Sequence, residues 1–263
     1  MTPTAALVVA SAVLGLVLGS FANVVIARVP HGASVVRPRS ACPSCATPLR
    51  VVDNVPVVSW LALRGRCRTC AWRIPLRYPL VELAGATLFA LVAWRIGWSS
   101  ALPAYLLFAW TLLVLSVIDL DHKRIPNRLT YPLTPVLALL LVGAALLGGD
   151  PGQALRTLLG GVTAFAALLA LALISPRGMG LGDVKLAAFL GLGLGFLGWD
   201  HLVLGLFAAF LLGGVVALAL LAVGRRGRRD EIPFGPWLAA GSLVAVLAGE
   251  PLIAAYLQAT GLG

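Results

Sequence analysis

Apolar runs of about twenty residues recur along almost the whole chain, and they leave it few possible folds. A helix of that length crosses a hydrocarbon core of about 30 Å and satisfies its own backbone, which little else can do in lipid. Read run by run, the 263 residues predict eight spans, at 4–27, 79–97, 102–120, 130–148, 154–174, 184–198, 202–223 and 236–258. The sixth, Val184 to Gly198, is short for a span. Only 11% of residues are charged, against roughly 25% in soluble domains. The expected fold is therefore an all-α polytopic membrane protein of about eight transmembrane helices. The first run, Thr4 to Ile26, has no basic residues before it and outlasts the apolar region of a signal peptide, so it reads as a retained helix.

The net charge of +10 suggests nucleic acid until its placement is examined. Lys and Arg sit in short loops between apolar runs, with no basic stripe interleaved with aromatics, so nucleic acid is not an expected partner. One alternating set of loops holds 18 of the 20 basic residues, among them Arg28, Arg77, Lys123, Arg124, Arg177, Lys185 and the run Arg225, Arg226, Arg228, Arg229; the other set holds only Arg95 and Arg156. Positive charge accumulates on the cytoplasmic side. The crowded loops are thus expected inside, with both termini facing outward.

Residues 28–78 form the one polar insert large enough to fold by itself, between a first transmembrane helix (1–27) and a helical domain (79–263). All four cysteines lie in the insert, as Cys42-Pro-Ser-Cys45 and Cys67-Arg-Thr-Cys70. Two such pairs can close a tetrahedral shell around structural Zn²⁺, with no open position for catalysis. Disulfides or free thiols are the alternative, and a reducing cytosol disfavours the disulfides.

The chain has ten acidic residues, and a carboxylate at a membrane span costs roughly 2.5–3.5 kcal/mol, so each needs a reason. Asp150, Asp200, Asp230 and Glu231 fall in predicted loops, where solvent accounts for them, and Asp53 reads as structural within the insert. Asp119 ends the run Leu112 to Ile118, whereas Asp183 follows Gly180-Leu-Gly182 and opens an apolar helix. The topology puts both at the cytoplasmic edge. Two carboxyls at one depth can share a proton, one activating water and the other bonding a scissile carbonyl. Gly180 and Gly182 would let a substrate backbone approach. The alternative is that both aspartates merely solvate helix ends, Asp183 near a favourable N-terminus. Asp121, two residues beyond Asp119, points to another helix face and adjoins His122, Lys123 and Arg124, which suits solvent.

These motifs together resemble the prepilin leader peptidase family. Gly178 to Lys185 contains the Gly-x-Gly-Asp signature of one class of intramembrane aspartyl proteases. Asp119, six residues before Pro126-Asn127, looks like the family's partner motif and selects Asp119 over Asp121. Gly19 to Pro30, the cysteine insert with Asn54 to Trp60 and Leu63 to Cys67, Arg77 to Leu83, and Pro233-Phe-Gly-Pro236 are similar as well. The resemblance implies cleavage of type IV prepilins, or pseudopilins of type II secretion, at the cytoplasmic face of the bacterial inner membrane. It also implies N-methylation of the new N-terminus with S-adenosylmethionine in chains carrying the insert, for which Gly65 and Glu82 are candidate residues. Glu82 could alternatively serve the cleavage activity, or pair with an arginine such as Arg77.

Other readings are a peptidase without methyltransferase activity, an ion-coupled transporter using the carboxylates, and a zinc-stabilised assembly protein. Gly193-Leu-Gly-Phe-Leu-Gly198 fits a dinucleotide pattern, but that pattern needs a strand before it. Inside an apolar span its glycines are expected to pack helices closely.

Overall fold

A computed structural model describes residues 2–175, 179–223 and 233–261. Arg177, Gly178, Arg225, Arg226, Arg228, Arg229, Asp230 and Glu231 lie outside the described residues. The regular secondary structure of the described residues is helical apart from two isolated bridges in the insert. The helices are α1 (Pro3–Arg28), the short α2 (Val58–Ala62), α3 (Arg77–Ile96), α4 (Leu102–His122), α5 (Asn127–Leu147), α6 (Pro151–Ile174), α7 (Leu181–Leu197), α8 (Trp199–Ala222) and α9 (Gly235–Thr260). They divide into two compact units, 1–98 and 99–263.

The expected eight long helices are present, and among the described residues seven are long and apolar enough to cross a membrane. The exception is α7, the sixth expected span. Its 17 residues reach only about 25 Å, and its buried residues fall on every face, as for a helix enclosed by others rather than facing lipid. Several other helices start up to three residues before the apolar pattern does. Asp150, expected in a solvated loop, caps α6 by accepting the Gln153 N–H at 2.8 Å. Asp200, likewise expected in a loop, lies in the first turn of α8 with Oδ1 3.1 Å from His201 Nδ1.

In the first unit α1 and α3 pack through Gly15 and Gly85. A methyl added at Gly85 would lie 2.6 Å from the Gly15 carbonyl oxygen, so the backbones touch. In the second unit Gly160 of α6 meets α7 at Gly191 and Gly195 in the same way. The Gly193–Gly198 pattern is therefore helix packing, with Gly193 against the Phe108 ring. Small residues at such seams replace the hydrophobic drive that lipid removes.

The C-terminal end of α7 explains one of the two isolated arginines. Arg156 of α6 donates from Nε to the Gly195 carbonyl at 3.0 Å and from Nη2 to the Phe196 carbonyl at 3.1 Å. Gln153 adds a bond to Phe196 at 3.1 Å. These donors satisfy carbonyls a helix end leaves open, and the cation complements the dipole. Arg156→Ala is expected to destabilise the second unit by about 1–3 kcal/mol, read as a lower thermal midpoint in detergent.

Candidate active site

Asp119 lies one turn from the end of α4, which closes at Lys123 in the left-handed conformation (φ 49°) with its N–H on the Asp119 carbonyl at 2.8 Å. The side chain of Asp119 is buried, 5% exposed, whereas Asp121 is exposed. Two residues along a helix amount to about 200°, which separates the two aspartates onto opposite faces. Oδ2 of Asp119 accepts the N–H of Gly235 at 3.0 Å. Gly235 is the first residue of α9, so this N–H has no partner within its own helix and points toward the carboxylate.

Asp183 is the third residue of α7, after Gly180, Leu181 and Gly182. Its carboxylate accepts from the Gly180 backbone N–H, so part of its role is the helix cap that the alternative reading foresaw. It also lies close enough to Asp119 for the two charges to interact. Ile125 joins their supports. A methyl added at Gly182 would stand 3.2 Å from Ile125 Cβ, and one at Gly235 would stand 3.4 Å from Ile125 Cδ1. The N-termini of α7 and α9 thus converge on the loop leaving α4. Gly182 has a packing reason to be small, and Gly180 stands in extended conformation before the helix.

In the first unit the four cysteine sulfurs all lie within 4.8 Å of one another. The two Cys-x-x-Cys turns have the same backbone. Cys42 N–H meets the Thr47 carbonyl as Cys67 N–H meets that of Trp72. Ala46 and Ala71 both take φ 56°. Sulfur separations of 3.7 Å (Cys42–Cys70) and 4.0 Å (Cys45–Cys67) run between the turns. A disulfide needs about 2.05 Å, whereas thiolates at about 2.3 Å from a tetrahedral ion lie about 3.8 Å apart. The four residues could hold a metal ion. The Thr47 hydroxyl and N–H pull the Cys45 thiol down to about 6. Cys70 is pushed up to about 11: the Trp72 N–H pulls it down, but burial and the neighbouring sulfurs outweigh that pull. Four sulfurs crowded together resist full ionisation unless a cation joins them.

Asp53 ties the insert together. It bonds Arg68 Nη2 at 2.6 Å and Nε at 3.0 Å, and that guanidinium holds its carboxyl below the usual range. Gly65 takes φ 65° and abuts the Trp60 indole, where a methyl would lie 2.7 Å from Cζ2. Glu82 of α3 is buried, and Oε2 accepts the Val57 N–H at 2.7 Å, with the Ser20 hydroxyl as a second donor. The Glu82 carboxylate thus faces Val57, and Ser20 of α1.

Residues 13–96 match the bacterial peptidase A24 N-terminal domain, and residues 106–218 match the type IV leader peptidase family. The "prepilin leader peptidase/N-methyltransferase" of Stutzerimonas stutzeri is 36% identical, over 96% of this chain and 94% of that protein. The chain belongs to the type IV leader peptidase family. Relatives of the same description from Pseudomonas aeruginosa and Bacillus subtilis are each 35% identical, covering 97% and 94% of this chain and 95% and 96% of theirs. No solved structure matches significantly.

In this family member the sequence signatures around the two aspartates are themselves connected. Besides Gly235 and Ile125, Lys185 reaches from the first turns of α7 to Asn127 Oδ1 at 3.1 Å, with its ammonium 5.2 Å from the Tyr131 ring centroid. Asn127 opens α5, directly after the loop from Asp119. The signature around Asp183 and the Pro-Asn pair are therefore tied by one side-chain bond. Proximity of Lys185 to Asp183 in the motif was visible in the sequence, but its partner across 58 residues was not.

Proposed function

We propose that this chain is a membrane aspartic endopeptidase that removes the leader from type IV prepilins or type II secretion pseudopilins and then N-methylates the new N-terminus. The observation that carries the cleavage reading is the convergence of Asp119 and Asp183, one on the buried face ending α4 and one opening α7, near enough for their charges to interact. The ionised member takes a proton from water, whose oxygen attacks the scissile carbonyl; the protonated member bonds that carbonyl oxygen and stabilises the charge developing there. Asp119 is oriented by the Gly235 N–H and Asp183 by the Gly180 N–H. The glycines Gly180 and Gly182 leave room for an extended substrate strand beside Asp183. The substrates fit this placement, since an apolar helix in the bilayer would present its cleavage point at the membrane edge.

The four cysteines take structural Zn²⁺, because the donor set is all thiolate and the separations suit a tetrahedral ion. The insert (28–78) with Gly65 and Glu82 serves methylation, with S-adenosylmethionine as donor, and 79–263 serves peptide cleavage. Membership of the family points to the bacterial inner membrane, and the distribution of Lys and Arg supports an orientation with the insert and aspartates on the cytoplasmic side and the termini outward.

The test is to incubate the detergent-solubilised protein with a prepilin and weigh the products. A pilin shortened after its leader glycine, and heavier by one methyl group only when S-adenosylmethionine is present, is expected. An uncut pilin in the presence of folded protein would sink the reading. Metal analysis should find about one zinc per chain. Removing it with a chelator is expected to open residues 28–78 to limited proteolysis while the spans stay resistant, and zinc should restore protection.

A further inference from the structure

Asp119 and Asp183 are held by different devices. The Asp119 carboxylate is fixed from outside its own helix, by the Gly235 N–H of α9 at 3.0 Å. Asp183 accepts from Gly180, at the start of its own helix, and that bond travels with α7, leaving the distance to Asp119 open. Deep packing of α7 begins at Val184 and Leu186, which are 2% and 1% exposed, whereas Leu181, Gly182 and Asp183 reach the surface. The first turn of α7 is therefore placed against the loop leaving α4 by contacts of its own.

Two such contacts bracket Asp183. On one side Gly182 lies against Ile125, where an added methyl would stand 3.2 Å from Cβ. On the other, Lys185 Nζ donates to Asn127 Oδ1 at 3.1 Å. Gly182 and Lys185, three residues apart, share a helix face, and Ile125 and Asn127 flank Pro126 just beyond the end of α4. A single contact is a pivot about which a helix end can turn; a second, one turn away, removes that freedom. The side chain chosen for the second contact is informative. The ammonium stands in the opening turns of α7 and beside the first residue of α5, the positive ends of two helices, where a cation is disfavoured. Among the described residues its partners are neutral: the Asn127 amide and the Tyr131 ring, whose centroid is 5.2 Å away. Reach therefore selects the lysine, whose long stem carries a donor from α7 to α5, while Tyr131, one turn beyond Asn127 on the same face of α5, steadies the charged end.

We propose that Lys185 is a positioning residue for leader cleavage: by holding Asn127 it sets the separation of the Asp119 and Asp183 carboxyls. This role rests on the aspartate pair proposed above and adds the element that spaces it. Spacing matters because two carboxyls share one proton over a pH range whose width grows with their mutual repulsion. Carboxyls that drift apart repel less. Their apparent pKa values then approach each other, and the singly protonated, active form occupies a narrower range.

Two variants break the tie from opposite ends. Lys185→Met keeps a stem over Tyr131 but cannot donate, and Asn127→Ala, at an exposed position, removes the acceptor while keeping the lysine's charge. With solubilised protein and a prepilin, each is expected to lower kcat at least about tenfold with KM within about twofold of the parent. The double variant should lose no more than either single one, as for two halves of one interaction. The kcat–pH profile should narrow from both sides in each, whereas loss of the lysine's charge alone would move both limbs the same way. Lys185→Arg, which restores a donor, should recover most of the rate. A lowered melting midpoint with a profile of parental width would mark a packing residue and overturn the proposal. So would a raised KM at parental kcat, or losses that multiply in the double variant. Parental kinetics in Lys185→Met and Asn127→Ala, beside an inactive Asp183→Asn, would overturn the spacing role and leave the aspartate pair standing. A folded Asp183→Asn protein that still cleaves would remove the pair itself, and the spacing role with it.

Discussion

Asp119→Asn and Asp183→Asn are each expected to reduce kcat/KM for leader cleavage by about 1,000-fold or more, with the fold unchanged. Asparagine is the informative replacement at both positions. At 119 its amide oxygen can still accept the Gly235 N–H, which Oδ2 of Asp119 holds at 3.0 Å. Alanine would leave that buried donor unpaired and mix a folding defect into the result. At 183 the amide oxygen can still accept the Gly180 N–H at the start of α7, so a purely structural cap survives the change. Only the ability to carry and exchange a proton is lost. Asp121→Asn, on the exposed face two residues away, should stay within about twofold of the parent, as changes at solvated surface positions do. Rates are to be read beside thermal midpoints and gel filtration in the same detergent. If either the Asp119→Asn or the Asp183→Asn protein were folded and cleaved at a rate within about tenfold of the parent, the two carboxyls would not be a catalytic pair.

The separation of Asp119 from Asp121 could be read from the chain because helical periodicity sets neighbours two apart on different faces, and the burial of one and exposure of the other agree with it. The cysteine cluster was legible too, since matched Cys-x-x-Cys turns carry their own geometry. So were the long helices, because in lipid the length of an apolar run states the element. Elsewhere the chain hides its answer in the backbone or in distant partners. Asp150 looked like a loop acid because it lies between the apolar runs at 130–148 and 154–174, yet Pro151 is well suited to the first helical position and leaves the preceding aspartate as the cap. For Glu82 the sequence offered a role in methylation or a pairing with an arginine such as Arg77; the donors on its carboxylate include the N–H of Val57, which no side-chain pattern announces. The shortness of α7 signals enclosure among other helices, a tertiary fact that composition alone does not distinguish from a span.

Gly235 is the clearest example of a site residue without a chemical signature, and it yields the second large effect. A methyl group there would stand 2.8 Å from Asp119 Oδ2 and 3.3 Å from its Cγ, and 3.4 Å from Ile125 Cδ1. Something must yield, and the short carboxylate is the group that can. Gly235→Ala is therefore expected to turn the Asp119 carboxyl away from the N–H that orients it, and displacement on the order of 1 Å at a reacting group costs up to about 100-fold in rate. Stability should move the other way or not at all. The position opens α9 without a left-handed backbone, and alanine is the better helix former by as much as about 1 kcal/mol. Activity and stability thus part company in this one variant, which a packing role for the glycine does not predict. Cleavage kinetics and a melting curve on the same preparation decide it. Full activity in the alanine protein would mean that the α9 N-terminus does not hold Asp119 in its working geometry, and a lowered midpoint with proportionate loss of rate would return Gly235 to the ranks of helix-packing residues.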